Sequence, residues 1–116
     1  MNFEIIPADP MGSWSVVRVT GELDMATADT LRSHLYELLN DGAPDLVVDL
    51  AEISFIDSTG LAALVHSFKQ AVTKGRSMAL LSPAPQAMRV FEASGLLSVL
   101  PIYSSAEDLP VNPGGR

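Results

Sequence analysis

Asp57, Ser58 and Thr59 set one carboxylate and two hydroxyls on consecutive residues, just ahead of a segment in which Leu61, Leu64, Val65, Phe68 and Val72 recur at helical spacing. Upstream, Leu46 to Leu50 is a short, nearly continuous apolar run with two β-branched residues, the pattern of a strand covered on both faces. The triplet therefore falls in the turn between a buried strand and a helix. Two chemistries suit it. One is capping, because Ser, Thr and Asp oxygens accept hydrogen bonds from the backbone N–H groups that a helix leaves unpaired in its first turn. The other is phosphoryl acceptance at Ser58, where a hydroxyl at a helix N-terminus is exposed at a corner of the fold and the positive end of the helix dipole tolerates a phosphate. The same serine can do both.

Other catalytic arrangements find little support. The two histidines, His34 and His66, fall on the polar faces of predicted helices, where a solvated imidazole is the simpler account. A Ser-His-Asp hydrolase calls for Gly-x-Ser-x-Gly at its strand-to-helix elbow, and Asp57-Ser58-Thr59-Gly60 lacks the leading glycine. Neither a Gly-x-x-x-x-Gly-Lys phosphate loop nor a Gly-x-Gly-x-x-Gly motif is present. The histidines have no carboxylate at helical metal spacing, which argues against zinc. Binding is favoured over catalysis, with no cofactor and no metal site expected.

Composition narrows the class. A chain of 116 residues, 47% hydrophobic and 18% charged, suits one domain with an ordinary core. The formal charge of -7 disfavours a nucleic-acid or anionic-membrane surface, both of which call for basic patches, while leaving a basic partner open. With no cysteine, disulfides and thiolate chemistry are excluded. No apolar run approaches the ~20 residues of a membrane span, and Met1-Asn2-Phe3-Glu4 has neither basic flank nor apolar signal core, so a soluble cytoplasmic protein is expected.

The elements that must position the triplet follow in order. Phe3, Ile5 and Ile6 ahead of Pro7 predict a short edge strand. Trp14 to Thr20 predicts a second, hairpin-paired with the first, with Val17 and Val19 on one face and Val16 and Arg18 on the other. Gly21-Glu22-Leu23-Asp24 interrupts that pattern. Ala28, Leu31, Leu35, Leu38 and Leu39 mark one face of a helix with Thr27 as candidate N-cap, and Asp41-Gly42-Ala43-Pro44 ends it. The helix from about Thr59 stops at Lys74-Gly75. Met78 to Leu81 is the next buried strand, Pro85 opens a third helix that Gly95 closes, Val99 to Ile102 forms a short final strand with Pro101 at an edge, and Ser105 to Asp108 begins a last short helix. Strands alternating with helices imply right-handed crossovers, a mixed sheet that is mostly parallel past its first hairpin, and helices packed on that sheet, an α/β fold. One domain over 1–110 and a loose tail over 111–116 are expected.

Gly21-Glu22-Leu23-Asp24, Leu46-Val47-Val48-Asp49-Leu50, Phe55-Ile56-Asp57-Ser58-Thr59-Gly60-Leu61 and Phe91-Glu92-Ala93-Ser94-Gly95-Leu96 resemble, in order and spacing, the landmarks of the STAS domain of bacterial anti-sigma factor antagonists. The resemblance spans almost the whole chain, and its most specific part is Asp-Ser-Thr-Gly-Leu. It implies a STAS-like fold and a cytoplasmic regulator that, unphosphorylated, binds an anti-sigma factor serine kinase of the histidine-kinase-like ATPase type and frees a sigma factor. It further implies that the kinase phosphorylates Ser58 and that a serine phosphatase resets it, a partner-switching cycle of the kind used in stress response and sporulation. Family members outside that cycle leave an alternative, a non-phosphorylated STAS subunit of a transporter ATPase or stress-signalling complex. A small-molecule or nucleotide binder using the helix N-terminus is a third.

Partner-binding residues expected on this basis are Asp24, Asp57, Ser58, Thr59, Gly60, Ala62 and His66. Asp57 is either a cap or a group that recognises the kinase or its magnesium. Asp24 either ends a strand or lies near Ser58, as the resemblance implies. Thr59 starts the helix, and Gly60 lets backbones approach closely. Leu61, Leu64, Val65 and Phe68 form the core stripe, as do Met88 and Phe91, while Ala62 and His66 on the other side line a partner groove.

Overall fold

The computed structural model describes residues 3–42, 45–111 and 113. Its longest strand, β2 (Trp14–Leu23), organises the sheet because alternate side chains serve two different cores. Val17 and Val19 enter the larger core, while Trp14 and Val16 enter a smaller one on the opposite face. On one side β2 pairs antiparallel with β1 (Glu4–Met11). On the other it meets two strands in succession. Ser15 to Arg18 pair in parallel with β3 (Asp45–Asp49), and Gly21 to Leu23 pair in parallel with β4 (Ile53–Ile56). The sheet order is β1-β2-β3-β5-β6, where β5 is Ser77–Leu81 and β6 is Ile102–Tyr103, with β4 attached to β2.

The expected α/β architecture, with an N-terminal hairpin and parallel pairings elsewhere, is what the chain forms. Every residue of β3 is buried, since Leu46 and Val48 face one core and Val47 the other. Three helices cover the same face of the sheet. They are α1 (Ala28–Asn40), α2 (Ser58–Thr73) and α3 (Pro85–Ser94), and the buried leucines of α1 and α2 and Phe91 of α3 all join the larger core. The other face is closed by the C-terminal segment, where Leu109 packs with Trp14, Val47 and Leu81 and the Trp14 indole N–H donates to the Pro110 carbonyl at 3.0 Å.

Several elements differ from the sequence expectation. The strand β4 falls in what reads as turn, because Ser54 and Phe55 between its buried ends are exposed and no apolar run announces it. Gly21-Glu22-Leu23 continues β2 through a bulge at Gly21, whose φ of 88° is open to glycine, at the point where β2 exchanges β3 for β4. The first strand runs on through Pro7 and Pro10, which an edge strand allows because the missing N–H groups need no partner. Leu96–Ser98 is a 3₁₀ turn, Val99 is exposed beyond it, and the final strand is only Ile102–Tyr103. The last helix is a single 3₁₀ turn, Ala106–Asp108. Ala43 and Pro44 of the predicted α1 stop, and most of the predicted tail, lie outside the described residues.

The α2 stripe is rotated from the expected one. Gly60, Leu61, Ala63, Leu64, Ser67 and Ala71 are buried, whereas Val65 and Phe68 are half-buried and Val72 is exposed. Small side chains occupy much of the inward face, so hydrophobic bulk alone misplaces it.

Candidate functional site

Leu23 and Ile56 are paired residues at the ends of the parallel strands β2 and β4. Asp24 and Asp57 follow them directly, so the topology carries both acidic residues to one end of the sheet. Asp57 is the N-cap of α2: its extended backbone turns the chain, and its Oδ1 accepts the Gly60 N–H at 2.9 Å. Its own N–H donates to the Leu23 carbonyl at 3.3 Å, fastening the cap to the end of β2. A second brace comes from α3. The Gln86 side-chain amide accepts the Ile56 N–H at 2.9 Å and donates to the Ile56 carbonyl at 3.2 Å, so β4 is held on its free side as a further strand would hold it.

With Asp57 as the cap, Ser58 is the first helical residue. Its side chain is exposed, and its hydroxyl has no hydrogen-bond partner among the described residues. Thr59 is half-buried. Gly60 is buried, and a Cβ there would lie 2.3 Å from the Leu23 carbonyl oxygen. The close backbone approach expected of Gly60 is thus intramolecular, between α2 and β2, and places it beneath the surface.

Asp24 has local duties. Its Oδ1 accepts the Ala26 N–H at 2.9 Å, and its carbonyl accepts the Ala28 N–H at 2.8 Å, starting α1. Thr27 occupies the α1 N-cap position without a side-chain cap bond, since its hydroxyl donates to the Glu22 carbonyl at 2.8 Å.

Ser58, Ala62 and His66 are spaced by one helical turn each, all exposed, and run along the outer face of α2. They edge a shallow, largely apolar hollow of about 400 Å³. Leu61, Val65 and Lys69 of α2 and Leu96 of the 3₁₀ turn complete its lining. Leu61, Val65, Lys69 and Leu96 are missing from the partner-binding residues expected by sequence, Leu61 and Val65 having been assigned to the core stripe. The 58, 62, 65, 66, 69 periodicity would have placed Val65 and Lys69 beside Ser58, whereas Leu96 joins only through the tertiary fold. Among the described residues, no group of three or more His, Asp or Glu side chains could hold a metal ion, and no helix is long and apolar enough to cross a membrane.

Fold and site together define an α/β domain with an exposed hydroxyl at a rigid strand-to-helix corner. The STAS domain model matches residues 6–109, and the chain belongs to that family. It is 35% identical over 91 residues to the anti-sigma-B factor antagonist of Bacillus subtilis (strain 168), covering 78% of this chain and 83% of that one. It is 33% identical over 91 residues to the anti-sigma F factor antagonist of Paenibacillus polymyxa, covering 78% of each. The crystal structure of an anti-sigma factor antagonist from Mycobacterium paratuberculosis superposes with a TM-score of 0.80 at 29% identity, covering 92% of this chain and 90% of that one. Both curated relatives are, by name, antagonists of anti-sigma factors.

Proposed function

We propose that this chain is a cytoplasmic anti-sigma factor antagonist. Unphosphorylated, it binds an anti-sigma factor serine kinase and frees a sigma factor; phosphorylation at Ser58 ends that contact, and a serine phosphatase restores it. The observation that carries this reading is the division of labour at the corner: Asp57 does the capping, which leaves the Ser58 hydroxyl exposed and unpartnered at the first position of a 16-residue helix. The names of the relatives support the antagonist role.

The switch follows from electrostatics. In the unmodified state Ser58, Ala62 and His66, with the apolar hollow beside them, form the contact surface, bordered by Asp24, Asp57 and Thr59. Phosphorylation brings about -1.5 to -2 charges to a corner that already holds Asp57. Burying such a dianion against a partner not built to pair it costs several kcal/mol. Because ~1.4 kcal/mol is tenfold in affinity, release by about 100-fold or more follows. The helix dipole stabilises a phosphate at this position, so the fold persists and only the interface is lost.

Incubation with ATP and the kinase encoded beside its gene tests the reading. One phosphoryl group is added to the chain, none to Ser58→Ala, and the kinase complex dissociates as the group is added. Stable association with an ATPase subunit and no phosphate transfer would overturn it. Backbone amide shifts confined to the corner on phosphorylation support repulsion without refolding, and shifts throughout the sheet contradict it.

A further inference from the structure

The net charge of -7 conceals a reversal along the chain. Residues 58–91, which hold α2, β5 and most of α3, contain Lys69, Lys74, Arg76 and Arg89 and no Asp or Glu, so they carry +4 and the remaining residues carry -11. A surface that needs only to stay soluble mixes both signs. Here the negative sign is withheld from the helix that presents Ser58.

Lys74 has a structural account: it is the C-cap residue of α2, where the helix dipole favours a cation, and its ammonium lies 5.2 Å from the centroid of the Tyr36 ring. Lys69 has none. It sits a full turn before the end of α2, beyond the reach of the dipole, and is exposed. Its neighbours at three and four residues are Val65, His66, Val72 and Thr73, none of them acidic. Asp57 precedes α2 and Glu92 lies on α3, and neither pairs with it.

This unpaired ammonium belongs to the lining of the Ser58 hollow, together with Leu61, Ala62, Val65 and Leu96. Val72, 59% exposed and three residues further on, continues the apolar strip past it. A cation set in exposed aliphatic surface is completed by a carboxylate beside an apolar side chain, because one contact then removes apolar area from water and pairs the charge. The same sign turns basic surfaces away. The -11 of the remaining residues repels an extended polyanion such as a nucleic acid, whereas a protein surface can touch α2 alone.

We propose, resting on the kinase-binding reading above, that the hollow receives an apolar side chain of the kinase and that Lys69 pairs with a kinase carboxylate beside it. Ser58 and Lys69 lie roughly 16 Å apart along the helix at about 1.5 Å per residue. That is about twice the ~8 Å Debye length at physiological salt, so the phosphate acts on one end of the contact and the Lys69 pair holds the other.

Binding of the full chain to the kinase encoded beside its gene, with ADP in place of ATP so that no transfer occurs, tests the pair. Lys69→Met keeps the aliphatic stem and weakens the complex about threefold; Lys69→Glu weakens it about tenfold. Arg32→Gln, a cation removed from α1, leaves it unchanged. In about 0.5 M salt the difference between parent and Lys69→Met closes. Zero-length carbodiimide coupling of the complex joins the Lys69 amine to an Asp or Glu of the kinase. A parent complex that Lys69→Glu leaves as tight as before would overturn this inference alone, and so would coupling of Lys69 only to a second copy of this chain. Absence of any complex with the parent chain would overturn the functional reading and this inference with it.

Discussion

The Leu23 carbonyl oxygen lies against the α-carbon face of Gly60, so close that a Cβ added there would stand 2.3 Å from it, and the same oxygen accepts the Asp57 N–H at 3.3 Å. One backbone atom at the end of β2 therefore fixes both the cap and the first turn of α2. The position of Ser58 between those two anchors is a consequence of β2 and β4 pairing, since Leu23 and Ile56 are partners.

Gly60→Ala tests that arrangement. The obstructing atoms are mainly the backbone carbonyl of a strand, which cannot swing aside as a flexible side chain does. Overpacking of this kind costs about 3 kcal/mol, which for a chain of this size lowers Tm by roughly 10 to 15 °C. Urea unfolding measures the loss. Amide shifts in the folded variant are expected at 23, 24 and 57–61, with the far strands β5 and β6 unmoved.

Asp57 offers a separation of stability from recognition. Asp57→Ala removes the oxygen that accepts the Gly60 N–H and costs about 1 kcal/mol. Asp57→Asn keeps an acceptor in the same place, so stability returns to within about 0.5 kcal/mol of the parent. On the proposed reading the carboxylate also engages the kinase or its magnesium, so Asp57→Asn is phosphorylated on Ser58 at least about tenfold more slowly while folding normally. Phosphorylation at the parent rate in Asp57→Asn would reduce Asp57 to a cap.

The strands that alternate apolar and polar residues, and the run of β3, declared themselves in the sequence because burial on one face or both leaves a period that can be read locally. The Asp57 to Gly60 turn was equally legible in kind: a carboxylate and hydroxyls ahead of a helical stripe announce an N-terminus. What remained hidden depends on partners distant in the chain. Strand β4 has two exposed residues out of four and exists because Gly21 to Leu23 offer it an edge and Gln86 closes its other side. The role of Gly60 needed the position of Leu23, and the wall supplied by Leu96 needed the packing of the third helix and the turn that follows it. The rotation of α2 reflects small residues, Ala63 and Ser67 among them, taking inward positions that a search for bulky apolar side chains passes over.

Trp14 is the single tryptophan, buried at 4% exposure under the C-terminal segment. Its emission therefore reports on this face of the sheet and the segment that covers it. Leu109→Asp sets a carboxylate among Trp14, Val47, Ala79 and Leu81, where no cation is available in the cluster. The segment lifts and the indole N–H exchanges the Pro110 carbonyl for water. A red-shifted emission maximum and a loss of about 2 to 4 kcal/mol are expected. Helix amide resonances stay in place, because α1, α2 and α3 pack on the other face. Unshifted emission would mean that the sheet face is covered by something other than this segment.

Gln86 braces the site from a third element, α3. Its amide makes both of its bonds to the backbone of Ile56, the residue before the cap. Gln86→Leu preserves the side-chain size and removes both partners, leaving an N–H and a carbonyl unmet at a partly buried edge, at a cost of about 2 to 3 kcal/mol. Gln86→Glu keeps an acceptor for the Ile56 N–H but turns a second oxygen toward the Ile56 carbonyl, so it recovers only part of that loss. Hydrogen exchange reads the difference directly. The Ile56 amide is expected to exchange fastest in Gln86→Leu, more slowly in Gln86→Glu and slowest in the parent, with resonances of residues 57–60 broadening in the same order. Because β4 passes straight into Asp57 and Ser58, a loosened Ile56 lets the serine wander from its place on the helix end. The rate of phosphorylation then falls even though no residue in contact with the kinase has changed. An Ile56 amide that exchanges at the parent rate in Gln86→Leu would show that water can replace the clamp.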